Sequence, residues 1–261
     1  MSNTMKTLRN TFALLLICLA QTGLAQHARF VESGVVTYQK RVNMFAKIKA
    51  QITGDNSFMQ QAYEQYRKTQ PQFNEYDYTL AFGNNQSLYK PAGKPRQTGG
   101  FFGNDPSIDM GNTVYTNLND WQSISQKAVY EETFLVTDSI RHIDWKITEE
   151  VREIAGYHCR RANALVMDSI YVVAFYTDQI PVTGGPESFA GLPGMILGLA
   201  LPHENTTWFA TKVEDKPVPA SQIAAPNKGK AVDRAGLQNT VQSSLKNWGN
   251  YADRIIKALM L

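Results

Sequence analysis

Histidine, cysteine and carboxylate pairs are the residues of this chain able to move protons, attack carbonyls or hold metals, and they are sparse. The chain has four histidines (His27, His142, His158 and His203) and two cysteines in 261 residues. In an extended strand His142 and Asp144 would point to the same face, a spacing that suits two ligands of a zinc or copper ion completed by one distant residue. His158 and Cys159 are adjacent, so a strand would send them to opposite faces and deny them a common metal. A nucleophilic dyad at Cys159 would need His142 or His203 brought in from elsewhere. His203-Glu204 follows Pro202 in an expected exposed turn. Glu131-Glu132 and Glu149-Glu150 are neighbours whose alternation separates them, against the convergence that acid/base pairs need. No HExxH, CxxC or EF-hand pattern occurs. No catalytic residue, cofactor or metal is therefore assigned, with His142 and Asp144 the weak metal candidates and a metal- or thiol-dependent hydrolase the last-ranked reading.

Two stretches carry more information. Residues 183–198 (TGGPESFAGLPGMILG) interleave five glycines with two prolines, which predicts a sharp, rigid turn into a strand. No Lys-Ser/Thr follows the glycines, so this is not a phosphate loop, and Ser188 lacks the flanking glycines of a nucleophile elbow. Residues 170–176 (IYVVAFY) are apolar at both alternating positions, so one side packs on the chain and the other still needs cover. A curved sheet with a second apolar surface makes a cavity. The expected ligand-binding residues are Tyr171, Val173, Phe175, Phe189, Leu192, Pro193 and Met195.

The elements that must position these residues are mostly strands. A strand is predicted from Gly34 through Val42 toward Lys49, then a short helix over 55–69, where Phe58, Ala62 and Tyr66 share a face and Asp55 or Asn56 caps it. Strands return at 76–82 and 87–89 around the turn Gly83-Asn84-Asn85. Residues 91–111 hold too many glycines and prolines for an ordered element and are expected to form a long mobile loop. Seven strand-like runs follow, at 113–118, 127–136, 144–148, 157–167, 170–177, 195–201 and 206–213. Without crossover helices between them the pairing should be antiparallel and meandering. A linker with Pro217, Pro219 and Pro226 leads to a C-terminal amphipathic helix striped by Leu237, Val241, Leu245, Trp248, Ala252, Ile255 and Leu259, with a kink allowed at Gly249. The fold class expected is mainly β (α+β): an antiparallel open sheet or partial barrel with two packed helices, residues 26–216 forming the β domain and 217–261 packing on it.

Residues 1–25 run from Lys6 and Arg9 through the apolar stretch 12–20 to Gly23 and Ala25, the pattern of a cleavable export signal. That stretch is too short to cross about 30 Å of hydrocarbon. Loss of Cys18 with the leader would leave Cys159 alone, expected as a small buried hydrophobe. At 43% hydrophobic and 11% aromatic residues the chain can build a core, which excludes wholesale disorder. The formal charge of +3 falls toward neutrality when Lys6 and Arg9 leave, so nothing recommends nucleic acid as a partner.

The succession Val36-Thr37-Tyr38, 85–89 (NQSLY), 145–148 (WKIT), 154–162 (IAGYHCRRA), 174–177 (AFYT), Ile180-Pro181, Gly185-Pro186 and 191–197 (GLPGMIL) resembles the GLPGLI family of exported Bacteroidetes proteins. Met195 stands where the name motif carries Leu, a volume-conserving swap. The resemblance implies a periplasmic or outer-membrane-associated protein of uncharacterised function and transfers no catalytic residue. The expected function is non-enzymatic binding of a hydrophobic ligand or peptide in the cell envelope, the alternative being an interaction module for an outer-membrane protein. The chain is not expected to span a membrane.

Overall fold

The computed structural model describes residues 30–261 except 53, 55, 94–101, 103, 104 and 106. The expected export signal lies outside them. Residues Val31–Leu261 form one compact unit.

Its frame is a sheet made by two meanders that meet at the first strand. The first meander runs β1 (Gly34–Asn43), β2 (Phe73–Gly83), β3 (Gln86–Pro91), β4 (Thr113–Asn117), β5 (Gln122–Val129) and β6 (Glu132–Ser139). The second runs β7 (Lys146–Ile154), β8 (Tyr157–Val166), β9 (Ile170–Thr177), β10 (Met195–Leu201) and β11 (Thr206–Asp215), and β11 returns to pair antiparallel with β1. With the short β12 (Lys230–Val232) the order is β12-β6-β5-β4-β3-β2-β1-β11-β10-β9-β8-β7, open at both ends. The helices are α1 (Met44–Lys49), α2 (Ser57–Thr69), α3 (Arg234–Leu245) and α4 (Asn250–Met260).

Local chemistry explains the hairpins. Asn84-Asn85 between β2 and β3, and Ala155-Gly156 between β7 and β8, all take positive φ, the two-residue turn whose twist matches paired strands. Along β1, Val36, Tyr38, Lys40 and Val42 are buried while the residues between them are not, so a single face carries the core. Tyr38 donates its hydroxyl across that core to the Ile196 carbonyl at 2.6 Å.

Four expectations change and one strand is added. The first strand stops at Asn43, whose side chain accepts from the Ala46 amide and starts α1 where extension to Lys49 was predicted. In α2 the cap is Asn56, but Phe58 is 64% exposed, so the buried face is shifted toward Met59, Ala62, Tyr63 and Tyr66. The run 127–136 is divided between β5 and β6 by Tyr130-Glu131, with Tyr130 in the left-handed region; neither residue type signals a turn. The expected strands pair antiparallel, and a further short strand, β12, is added parallel to β6 and makes the sheet mixed. The C-terminal stripe belongs to two helices: Gly249, at φ +51, separates α3 from α4.

Part of the segment 91–111, expected as a long mobile loop, lies outside the described residues, and some of its described residues reach the core. Phe102 and Ile108 are buried against Val42, Met44 and Tyr66, and Asp109 meets the core directly. Leu237, Val241, Leu245, Ala252, Ile255 and Leu259 pack on Val129, Phe134 and Val136. Each large aliphatic side chain so buried contributes about 1.5–3 kcal/mol.

Candidate functional site

The residues with catalytic potential do not assemble. His142 Nε2 and Asp144 Oδ1 are 3.0 Å apart, but both side chains are almost wholly exposed, and among the described residues no three His, Cys, Asp or Glu side chains are grouped to hold a metal. Cys159 is fully buried, its thiol shares a contact with the Tyr157 carbonyl, and burial pushes it up to about 12. That suppresses the thiolate a nucleophile needs. His203 lies exposed in a 3-10 turn over Pro202–Glu204.

The aromatic strand is filled by its own chain. On β9, Val173 and Phe175 are buried and Tyr171 half-buried. The cover comes from charged neighbours: the Arg152 guanidinium stands over the Phe175 ring at 4.7 Å, and Arg161 reaches the Tyr171 hydroxyl at 3.5 Å while bonding Glu150 at 2.6 Å. Arginine can do this because its weakly hydrated plane lies flat on an aromatic face. Leu192 and Met195 are core residues and Pro193 is exposed. Residues 184–196 form a rigid entry to β10: the Ile196 amide bonds the Gly184 carbonyl at 2.8 Å and the Gly191 amide bonds Thr183 Oγ1 at 2.8 Å. Of the seven expected ligand residues, Phe189 alone lines a concavity described next.

Two concavities stand out. The first, about 70 Å³, is lined by charged and apolar residues from five segments, including Lys40, Lys47, Asp109, Glu187, Trp208 and Arg254. Lys40 enters it from β1, in register with Tyr76 and Trp208 on the two flanking strands. Its ammonium stands 5.3 Å from the Trp208 ring and bonds Asp109 at 2.7 Å. The Tyr78 hydroxyl donates to the same carboxylate at 2.5 Å, and burial followed by that negative charge raises the phenol. Glu187, 9% exposed and at φ +54, accepts from Asn112 Nδ2 at 3.0 Å.

The second is a groove of about 440 Å³ between the β5–β6 hairpin and α3. Val129, Phe134, Val241 and Leu245 are its buried apolar floor, and Tyr130 and Trp248, 51% and 52% exposed, flank it. The two rings are 6.2 Å apart and Tyr251 continues the row at 5.5 Å from Trp248. Neither place was found from sequence. Glu187 hid inside the glycine-rich stretch, and Trp248 counted as part of the buried stripe. Tyr130 beside two glutamates carried a weak signal of an exposed aromatic.

Comparison with solved structures places the fold. Two crystal forms of PNGF-II match with TM-scores of 0.50 at 15% identity, over 87% and 82% of this chain but 33% and 34% of theirs. The chain thus spans about a third of those proteins. An uncharacterized conserved protein from Thermus thermophilus matches at a TM-score of 0.38 and 8% identity, over 78% of this chain and 92% of its own, and carries no argument. No curated protein sequence matches significantly. The profile of a family described as "Protein of unknown function (Porph_ging)", a Bacteroidetes family of the GLPGLI type, matches residues 165–198, the stretch from the end of β8 to Gly198 in β10.

Proposed function

We propose that this chain is an exported cell-envelope protein of the GLPGLI family that binds a hydrophobic ligand or peptide in the groove beneath Tyr130 and Trp248 and catalyses no reaction. The observation that carries the reading is the half-exposed Trp248 beside an apolar floor of about 440 Å³, within the range of small-ligand sites. The groove replaces the β9 surface as the binding place, because Arg152 and Arg161 already cover that surface. Export rests on the leader pattern of residues 1–25. Family membership rests on the order of the motifs together with the match over 165–198. The buried, raised thiol of Cys159 speaks against thiol chemistry.

Native mass spectrometry of the protein purified from its own envelope tests this. The expected result is an added mass that the Trp248→Ala variant, folded to the same melting temperature, no longer carries. The bare polypeptide mass in both proteins overturns it.

A second reading is an interaction module. β7 ends the sheet order, and Val151 on it and Leu165 on β8 are 55% and 61% exposed. An edge strand offers main-chain groups for a partner's strand to pair with. No helix among the described residues is long and apolar enough to cross a membrane.

A further inference from the structure

The charged cavity has chemistry that the apolar groove lacks, and it stands independently of the reading above. We propose that it binds a small carboxylic acid bearing a hydroxyl or ammonium donor, with the carboxylate held by Lys47 and Arg254 and the carbon skeleton against Trp208 and Phe189.

The charges lining the cavity do not pair off. Lys40 is neutralised by Asp109 at 2.7 Å, and Glu204 by Lys257 at 2.5 Å. Among the described residues Lys47 and Arg254 have no carboxylate within 4 Å, and neither has Glu187 a cation. Lys47 and Arg254 together therefore offer a ligand carboxylate two cations without a partner. A phosphate dianion would instead meet Asp109, Glu187 and Glu204 at close quarters. Isolated charges in a partly desolvated space are costly until a counter-charge arrives.

Buried polar atoms point the same way. Arg254 Nε, Asn112 Oδ1 and Ser107 Oγ are buried without a hydrogen-bond partner, and all three residues line this cavity. Asn112 is 5% exposed and its amide nitrogen is spent on Glu187, so its oxygen can only accept. A plain carboxylate leaves that acceptor empty, whereas a neighbouring hydroxyl or ammonium fills it. The Arg254 guanidinium, already seated over Tyr251 at 5.3 Å, keeps its edge for the anion. At about 70 Å³, against about 30 Å³ per molecule of bulk water, the cavity admits only a short acid, whose far end would lie at the cavity mouth.

Two further features fit. Glu187 holds a left-handed backbone conformation unusual for its residue type, strain of the kind stored at ligand sites. Burial, with repulsion from Lys40 and Arg254, lowers Lys47 despite Glu204 and Asp105, and a bound carboxylate would supply the counter-charge that opposes both.

Lactate is the probe. Saturation-transfer NMR on the full chain should show lactate bound, more tightly than propionate, with propylamine unbound. Lys47→Met and Arg254→Met, with circular dichroism unchanged, should each weaken lactate at least tenfold. If Arg254→Met does not fold, Lys47→Met, at a half-buried position, decides alone. Lactate no better than chloride at raising the melting temperature, binding that survives Lys47→Met, or binding of propylamine alone overturns the proposal. Because Trp248→Ala leaves this cavity intact, failure here and failure of the groove are read separately.

Discussion

Asp109 crosses from the connection after β3 to the Lys40 ammonium, 2.7 Å away, and takes the Tyr78 hydroxyl with the same oxygen. A lysine on the inner face of the central strand thereby has a carboxylate partner inside the core. The pair couples β1 and β2 to a segment whose composition reads as loop.

Removing one partner of that pair should be far worse than removing both. Asp109→Ala leaves a buried ammonium unpaired and is expected to cost about 3–5 kcal/mol. Lys40→Met added to it should recover most of the loss, since Met fills the slot between Tyr76 and Trp208. Urea denaturation of the two single variants and the double variant measures this, and additive losses would count against it.

Lys127 on β5 is buried, bonds the Leu259 carbonyl at 2.6 Å, and is lowered by burial to about 8. Between about pH 8 and the ordinary lysine value of about 10.4 the unfolded chain holds a proton that the folded chain has released, so stability rises with pH. Tyr38 and Tyr89, raised by burial, reverse the trend above about pH 10, where unfolded tyrosines ionise and folded ones do not. The melting temperature should therefore climb from pH 8 to about 9.5 and then fall. Lys127→Met should climb less, with the remainder from Lys47. A steady decline from pH 8 in the wild type would refute this account.

Cys159 should be silent until the protein unfolds. With the side chain 0% exposed and the thiol pushed up to about 12, a disulfide reagent at pH 8 is expected to leave it unmodified in buffer and to modify it fully in 6 M guanidinium. Fast labelling of the native protein would reopen thiol chemistry.

Gly194 is held by geometry that no other residue satisfies. Its φ is +146, and a Cβ there would lie 2.0 Å from the Thr177 carbonyl oxygen at the end of β9. Gly194→Ala should destabilise by more than about 2 kcal/mol or prevent folding. By contrast Pro193→Ala, at an exposed position, should stay within about 1 kcal/mol. Equal losses in the two variants, measured by thermal melting, would contradict the turn's assigned role.

The chain's own pattern determined the mainly β class and several strands to the residue, among them 170–177 and 195–201, because apolar and β-branched runs between breakers depend on neighbours in sequence. It likewise determined the buried stripes of α3 and α4, all but Trp248, which the break at Gly249 leaves half-exposed. Tertiary structure alone decided what covers β9, since Arg152 and Arg161 belong to the adjoining strand pair and carry no local sign of that task. It also decided the cavity, where Lys40, Glu187 and Arg254 meet from three distant parts of the chain. Periodicity reports only which way a side chain faces on its own element. The closing of β11 on β1 and the return of α4 over the sheet set which faces meet, and no local pattern encodes that distance.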